Sequence, residues 1–225
     1  MSNELIWILF MILDLSAVLI AYMLFGKNGL YIIISLSIIL ANIQVLKLVD
    51  MFGLVVTLGN VLYGSIFFAT DLLSEFHGKE AAQRGVWLGF FALAVSTIYM
   101  QIALVITPNV NDFAHPHLEA LFSLAPRIVA GSLIAYIISQ FHDVWSFHFW
   151  KKKTEGKHLW LRNNASTMVS QLIDTVIFCS IAFLGVFPMN IWWQILLTTY
   201  LIKWIVAVVD TPFIYYAKLF IGKKD

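Results

Sequence analysis

The sequence predicts an all-α membrane protein, a polytopic bundle of six core transmembrane helices with one extra helix at the N-terminus. Two observations lead to this class. Hydrophobic residues make up 60% of the 225 residues and charged residues only 12%, whereas soluble domains average about 45–50% apolar and about 25% charged residues. Such a low charge content removes the polar surface that keeps a globule in solution, so the lipid bilayer is the expected solvent. The one cysteine, Cys179, excludes a disulfide within the chain.

Seven stretches are apolar and long enough to cross a bilayer, which takes about 20 residues. They leave no room for a separate soluble domain, so residues 1–225 are expected to form a single transmembrane domain. Within it, 1–28 is the additional N-terminal helix, which lacks the basic region and cleavage site of a signal peptide, and 29–220 is the core. The stretches are 5–25, 29–46, 54–75, 86–107, 126–147, 163–185 and 191–217.

The third stretch is less regular than the others, because Gly53, Gly59 and Gly64 interrupt it. Irregular backbone at membrane depth is tolerated only where protein shields it or where it lines a cavity. For residues 51–58 the sequence therefore leaves three alternatives open, namely helical, extended or re-entrant backbone.

Lysine and arginine predict which loops face the cytoplasm, because these residues concentrate in short cytoplasmic loops. The loop 148–162 carries five of them, and the loop 76–85 and the C-terminal tail carry others. The loop 108–125 carries none and is expected outside, while Lys47 is the one exception to the alternation. The N-terminus is therefore expected outside and the C-terminus in the cytoplasm of a multi-pass protein of the cell membrane.

Polar residues form stripes on the last three stretches. A charge at the bilayer centre costs at least about 2.5–3.5 kcal/mol, so each charge needs a partner or a function. At helical spacing, half of the sixth stretch is polar, and narrower stripes follow the fifth and seventh. We expect a solute cavity between these three helices that opens to the cytoplasm past Asp71 and Asp143. The stripe residues are Ser132, Tyr136, Ser139, Asp143, Asn163, Asn164, Ser166, Thr167, Ser170, Gln171, Asp174, Thr175, Thr199, Lys203 and Asp210.

Each charged residue also has a structural interpretation. Asp174 and Lys203, near the middle of their stretches, would form a buried ion pair that determines helix register. Asp14, in the middle of the first stretch, has few polar neighbours on its helix and is expected in a packing or assembly contact. Charges nearer the ends of their stretches would extend to the lipid headgroups. These are Asp71, Glu75, Arg127 and Asp143.

Signatures of catalysis and metal binding are absent from the sequence. There is no HExxH, no Cys/His ligand spacing, no GxSxG, no Walker loop and no haem-attachment motif. We expect no metal, no cofactor, no enzyme activity and no ATPase partner, and a net charge of +1 gives no indication of a nucleic-acid partner. An aspartyl intramembrane enzyme stays an alternative because Asp14 and Asp174 are both central, although neither follows Gly-x-Gly.

Several short sequence motifs follow one another along the chain. FATDLLSEFHGK spans 68–79, and LRNNAST spans 161–167. The pattern Ser-Gln-x-x-Asp occurs twice, ending at Asp143 and at Asp174, and Lys203 follows in the last stretch. Together with Arg127 and Ser132-x-x-x-Tyr136, these strings resemble the queuosine precursor transporter family (YhhQ/VUT type) over roughly residues 30–217. The family core resembles six helices with both ends inside, so Asp14, on the additional helix, inherits no role.

The resemblance implies import of a queuosine precursor for tRNA modification, namely 7-cyano-7-deazaguanine, 7-aminomethyl-7-deazaguanine or queuine. A guanine-like ring presents N1–H and its exocyclic amine to a carboxylate, and its O6 accepts from an amide or ammonium. We expect Asp174 or Asp143 to bind the donor edge, and Gln140, Gln171 or Lys203 to bind O6 and N7. The other substrate-binding candidates are Asn42, Asp71, Glu75, Arg127, Tyr136, Asn164 and Asp210.

Three alternatives to a self-sufficient transporter stay open. One is a substrate-binding subunit similar to those of energy-coupling-factor systems for vitamins or purines, which need an ATPase partner. The others are an intramembrane enzyme and a purely structural membrane protein. Passive exchange and ion coupling are both open as driving forces, and the small chain suggests a homodimer.

Overall fold

The computed structural model describes residues 2–153 and 159–220, which are mostly helical, as predicted for an all-α membrane protein. Three apolar helical segments of this part are long enough to cross a membrane, namely Asn3–Gln44, Glu80–Val105 and His115–Ser139. The elements in chain order are α1 (Asn3–Gln44), β1 (Leu48–Met51), β2 (Leu54–Thr57), α2 (Asn60–His77), α3 (Lys79–Val105), α4 (His115–Phe122), α5 (Ala125–Lys153), α6 (Leu159–Phe183) and α7 (Met189–Phe220).

Helix α1 consists of two helices that meet at Gly26, in agreement with the first two predicted stretches. Gly26 has φ 58° and ψ −142°, a non-helical conformation that glycine adopts without steric cost. The side-chain amide of Asn3 donates to the backbone oxygen of Asp50 at 3.0 Å, although Asp50 follows the far end of α1. The two halves of α1 therefore run antiparallel.

Residues 48–57 form an antiparallel hairpin with its turn at Phe52 and Gly53. The predicted helical stretch 54–75 is therefore wrong at its start, and the extended alternative for 51–58 is confirmed. The β-branched residues of the strands favour extended backbone. Side chains of α7 provide hydrogen-bond partners for the backbone of β2. The Val55 N–H donates to the Gln194 side-chain oxygen at 3.0 Å, and the Val55 oxygen accepts from the Thr198 hydroxyl at 3.2 Å.

The remaining predicted stretches correspond to α3, α5, α6 and α7. Helices α5 and α7 extend beyond the predicted limits at both ends, whereas α3 and α6 begin earlier than predicted and end two residues before the predicted limit. The loop between α3 and α5 contains α4, a short helix that the sequence analysis missed. The carboxylate of Asp112 accepts from the backbone N–H groups of Ala114 and His115 just before this helix. These bonds form an Asx turn that leads the chain into the helix, and Pro116 in the first helical turn suits the start of a helix.

The first half of α1 belongs to the main packed core. Leu15 and Val18 are buried in the same cluster as Ile34 from the second half of α1 and Phe68 from α2. Helices in lipid associate mainly by close van der Waals packing, which small residues permit. At Gly64 on α2, a Cβ atom would lie only 2.1 Å from a methyl carbon of Val206, so glycine allows α2 and α7 to approach.

Candidate functional site

Two neighbouring cavities lie among the helices, and the described residue Tyr63 lines both. The large cavity has a volume of about 380 Å³ and is lined by α1, α2, α3, α5 and α6. The second, which we call the ion-pair chamber, contains Asp174 and Lys203 and has only about 20 Å³, room for about one water molecule. Ligand pockets typically measure about 300–1,000 Å³, so of these two the large cavity is of ligand size.

The large cavity combines polar groups with aromatic rings. Asp71 on α2 is exposed and forms no ion pair within the described residues. The side-chain oxygen of Gln171 on α6 is buried and has no hydrogen-bond partner in the described part. Tyr136 and Phe90 place their ring centroids 5.0 Å apart on the cavity wall. The cavity therefore offers a free carboxylate, a free amide acceptor and aromatic faces.

The ion-pair chamber brings together two residues predicted to bind substrate. Lys203 Nζ lies 2.5 Å from Asp174 Oδ2, and the two side chains are only 7% and 16% exposed. The other carboxylate oxygen of Asp174 accepts from the Ser139 hydroxyl at 3.4 Å. The Lys203 ammonium also lies 5.6 Å from the ring centroid of Tyr63, within the range of a cation–π contact. In this conformation each partner is already engaged by the other.

Hydrogen bonds among side chains connect residues that line the ion-pair chamber. Ser132 donates to the Asn42 side-chain oxygen at 3.2 Å. Asn60 donates to the hydroxyls of Thr57 at 3.1 Å and Thr199 at 3.4 Å. Because Thr57 ends strand β2, these bonds connect the hairpin to α2 and α7. The hairpin is thereby held beside the chamber through Asn60, which lines it.

Arg127 lies apart from both cavities, although it was a predicted substrate-binding residue. Its guanidinium donates to the backbone oxygens of Ile181 and Leu184 at the carboxyl end of α6. A cation at this position complements the helix dipole and satisfies carbonyls that lack a helical partner. Arg127 therefore caps the carboxyl end of α6.

The cavity position also corrects the sequence analysis, which expected it between the last three stretches. The large cavity is lined in addition by α1, α2 and α3, because the stripes of α5 and α6 face these helices across the bundle. Asn42, Asp71, Tyr136, Gln171, Asp174 and Lys203 each line one of the two cavities. The side chains of the other predicted site residues lie outside the described part of the structure. They are Glu75, Gln140, Asp143, Asn164 and Asp210.

Apart from Asp71, the α2 residues that line the two cavities were not predicted as site residues. Asn60 and Tyr63 belong to the ion-pair chamber, and Tyr63, Phe67, Thr70 and Ser74 belong to the large cavity. Their spacing of three and four residues is that of one helix face. This signal was present in the sequence, but it was hidden by the glycines that made the third stretch look irregular.

Comparison with known proteins gives consistent results. The family described as "Putative vitamin uptake transporter" matches residues 57–217. A Bacillus subtilis (strain 168) protein named "Probable queuosine precursor transporter" is 45% identical over 226 aligned residues, which cover 100% of this chain and 99% of that protein. No solved structure matches.

More distant relatives carry similar names. The "Queuosine precursor transporter" of Escherichia coli (strain K12) is 28% identical over 72% of each chain. A "Probable queuosine precursor transporter" of Haemophilus influenzae is 29% identical over 68% of this chain and 64% of that protein. Like the Bacillus subtilis protein, both are named for transport of a queuosine precursor.

Proposed function

This chain belongs to the vitamin uptake transporter family, and on that premise we propose that it imports queuosine precursors of the 7-deazaguanine type. The family is one of transporters, not of enzymes. Three relatives are named for queuosine precursor transport, one of them alignable over the whole chain. The solute would be 7-cyano-7-deazaguanine, 7-aminomethyl-7-deazaguanine or queuine, taken up for tRNA modification.

The large cavity carries the proposal, because its free polar groups suit a flat guanine-like base. The Asp71 carboxylate can accept N1–H and the exocyclic amine side by side, which is the strongest geometry available to a carboxylate. The Gln171 amide lies in the same cavity and can donate to O6 through its nitrogen. Tyr136 and Phe90 offer ring faces, and stacking of a base on an aromatic side chain contributes about 1–3 kcal/mol.

This assignment moves the donor edge of the base from Asp174 to Asp71. Asp174 is held by Lys203 at 2.5 Å in a chamber that is too small for a base. We propose that the pair separates when the base moves deeper past Tyr63, so that Asp174 and Lys203 belong to the translocation path. The roles of Glu75, Gln140, Asp143, Asn164 and Asp210 rest on the sequence alone, namely on the polar stripes and the family resemblance.

The topology proposed is that of a multi-pass protein of the cell membrane with seven spans, the N-terminus outside and the C-terminus inside. Two contacts support it. Asn3 contacts Asp50, and the Tyr22 hydroxyl lies 3.1 Å from the His77 ring. In each pair the charge rule places both residues on the same side. With this orientation Asp71, one and a half turns before His77, places the large cavity toward the cytoplasm.

The proposed assembly is a single transmembrane domain that works without an ATPase. Buried side chains of residues 3–25 share one cluster with α2 and α3, which supports a domain that includes the additional helix. The sequence contains no nucleotide-binding motif. The proposed oligomeric state is a homodimer, and size-exclusion chromatography with light scattering would measure the mass of the assembly.

Binding of the base tests the proposed function directly. The purified full-length protein is heated with guanine, 7-cyano-7-deazaguanine, 7-aminomethyl-7-deazaguanine, queuine, riboflavin or biotin, and the unfolding temperature is recorded. We expect a rise with one or more 7-deazaguanines, because a ligand that binds only the folded state stabilises it. A rise with a vitamin alone would contradict the proposal.

Transport by purified protein in liposomes tests the site and the absence of an ATPase. Uptake of the labelled base is expected without any added nucleotide. Asp71→Asn should weaken binding about 10–100-fold, because it replaces one acceptor oxygen with an NH2 donor that faces a donor of the base, whereas Asp50→Asn on the exposed hairpin should leave it unchanged. If the two variants bind the base with equal affinity, Asp71 does not contact the base.

A further inference from the structure

Asp14 is an acidic residue in the middle of a membrane-spanning helix whose charge has no visible compensation. One of its carboxylate oxygens is buried and has no hydrogen-bond partner in the described part of the chain. Lys203 pairs with Asp174 there, and no cationic side chain pairs with Asp14. A lone carboxylate in a low-dielectric interior is costly unless something neutralises it.

Two buried serines lie beside this carboxyl group. The Ser65 hydroxyl of α2 is the neighbour of the Asp14 side chain, and it lies 3.2 Å from the Ser37 hydroxyl of α1. Ser65 is 0% exposed and Ser37 is 4% exposed. The nearest acceptor for the single hydrogen of Ser65 is the Leu62 backbone oxygen at 2.8 Å. The Ser65 hydroxyl can donate to an ionised Asp14 or accept from a protonated one, so it can serve both states of a carboxyl group that binds and releases a proton.

A proton suits this cluster better than a metal ion. One carboxylate and two hydroxyls supply too few oxygens for hard cations, which take about six or more. Within the described side chains, no charged group of the surrounding helices forms an ion pair with Asp14. Among the described side chains, the other titratable and charged groups of these helices are Glu4, Tyr22, Lys27 and Tyr31 on α1, Tyr63, Asp71 and His77 on α2, and Glu80, Arg84 and Tyr99 on α3.

We propose that Asp14, with Ser65 and Ser37, forms a proton-binding site that is separate from the substrate cavity and couples import to the proton gradient. The site lies where both halves of α1 meet α2. The second half of α1 also carries Asn42, and α2 carries Tyr63 and Asp71, which line the two cavities. Loss of the proton would leave an unpaired charge against α2, so occupancy of this site and of the cavity would be linked through the same helices.

The coupling rests on the proposed function, but proton binding can be measured without substrate. Infrared difference spectra of the reconstituted full-length protein between acid and alkaline pH detect the carbonyl stretch of a protonated carboxyl group. We expect Asp14→Asn to remove one such band and the matched variant Asp50→Asn to leave it. Ser65→Ala keeps the carboxyl group and should shift the frequency of the band, which provides a second reading if Asp14→Asn folds poorly.

Coupling is measured as accumulation of 7-cyano-7-deazaguanine in liposomes under an inward proton gradient. A gradient of about two pH units supports about 100-fold accumulation at one proton per base, because each unit corresponds to a factor of ten. Asp14→Asn should exchange labelled for unlabelled base but not accumulate it. Accumulation by Asp14→Asn, an unchanged infrared band, or accumulation driven by Na⁺ through Asp14 would overturn the proposal. Failure of the wild-type protein to exchange any base would overturn the proposed function and leave the infrared result standing.

Discussion

The ammonium nitrogen of Lys203 lies 2.5 Å from a carboxylate oxygen of Asp174, and Tyr63 stands between this pair and the large cavity. The pair joins α6 to α7 across a chamber that holds about one water molecule. In this conformation the protein thus has a ligand-sized cavity and, beyond Tyr63, a much smaller chamber with a buried ion pair.

Removing only one partner of the ion pair should destabilise the protein strongly. Lys203→Met leaves the Asp174 carboxylate buried and uncompensated, so we expect a loss of about 3–5 kcal/mol in unfolding free energy. The double variant Asp174→Leu with Lys203→Met should regain most of this loss, because it removes both charges. Thermal unfolding of the three proteins in detergent measures the difference.

Transport by the same variants separates a structural pair from a functional one. Both variants should fail to take up 7-deazaguanine base if Asp174 and Lys203 belong to the translocation path. A double variant that is stable and takes up base at the wild-type rate would show that the pair only determines helix register.

Cys179 should report on access to the ion-pair chamber, because it lies beside Thr199 and Lys203, which line the chamber. This thiol is 0% exposed on α6, five residues from Asp174, so it should react with N-ethylmaleimide far more slowly in the folded protein than in denaturant. Tyr63→Ala removes the ring between the two cavities and should speed the reaction, whereas Tyr63→Phe should not. Equal rates for both variants would contradict the placement of Tyr63 as a barrier, and the measurement is mass spectrometry of the alkylated protein.

The close approach of Val206 should prevent a larger side chain at position 64 of α2 from being tolerated. Gly64→Ala places a methyl group 2.1 Å from a carbon of Val206, so we expect overpacking to cost about 1–3 kcal/mol. Val206→Ala in the same protein should restore part of the stability, although Val206→Ala alone is itself destabilising because it deletes packed methyl groups. A double-mutant cycle by thermal unfolding tests this, and strict additivity would refute the contact.

The hairpin should depend on Gln194 for its attachment to α7. Gln194→Met removes the acceptor of the Val55 N–H, and an unsatisfied buried N–H costs about 1–3 kcal/mol. We expect faster hydrogen exchange across residues 54–57 in this variant, whereas Gln194→Glu retains an acceptor oxygen and should stay near the wild-type rate. Exchange followed by mass spectrometry distinguishes the two, and indistinguishable rates would mean that the hairpin holds its position without Gln194.

The helices were predictable because the length of an apolar run is a local property. The break at Gly26 and the polar stripes of α5, α6 and α7 followed from spacing alone. The hairpin was predictable only as one of three alternatives, since its stability depends on Gln194 and Thr198, which lie far away in the sequence. The capping role of Arg127 was hidden for the same reason, because the carbonyls that it binds belong to another helix.

Composition alone established the solvent of this protein, since so few charges cannot cover a soluble surface. Spacing within each helix established which faces are polar, and ordered motifs indicated the family. The tertiary structure decided which charges are engaged: Asp174 is held by Lys203, Asp71 stays free in the cavity, and Asp14 lies beside Ser65. The reason is physical, because the cost of a buried charge depends on the partners that other helices bring to it, and helix rotation and packing determine those partners.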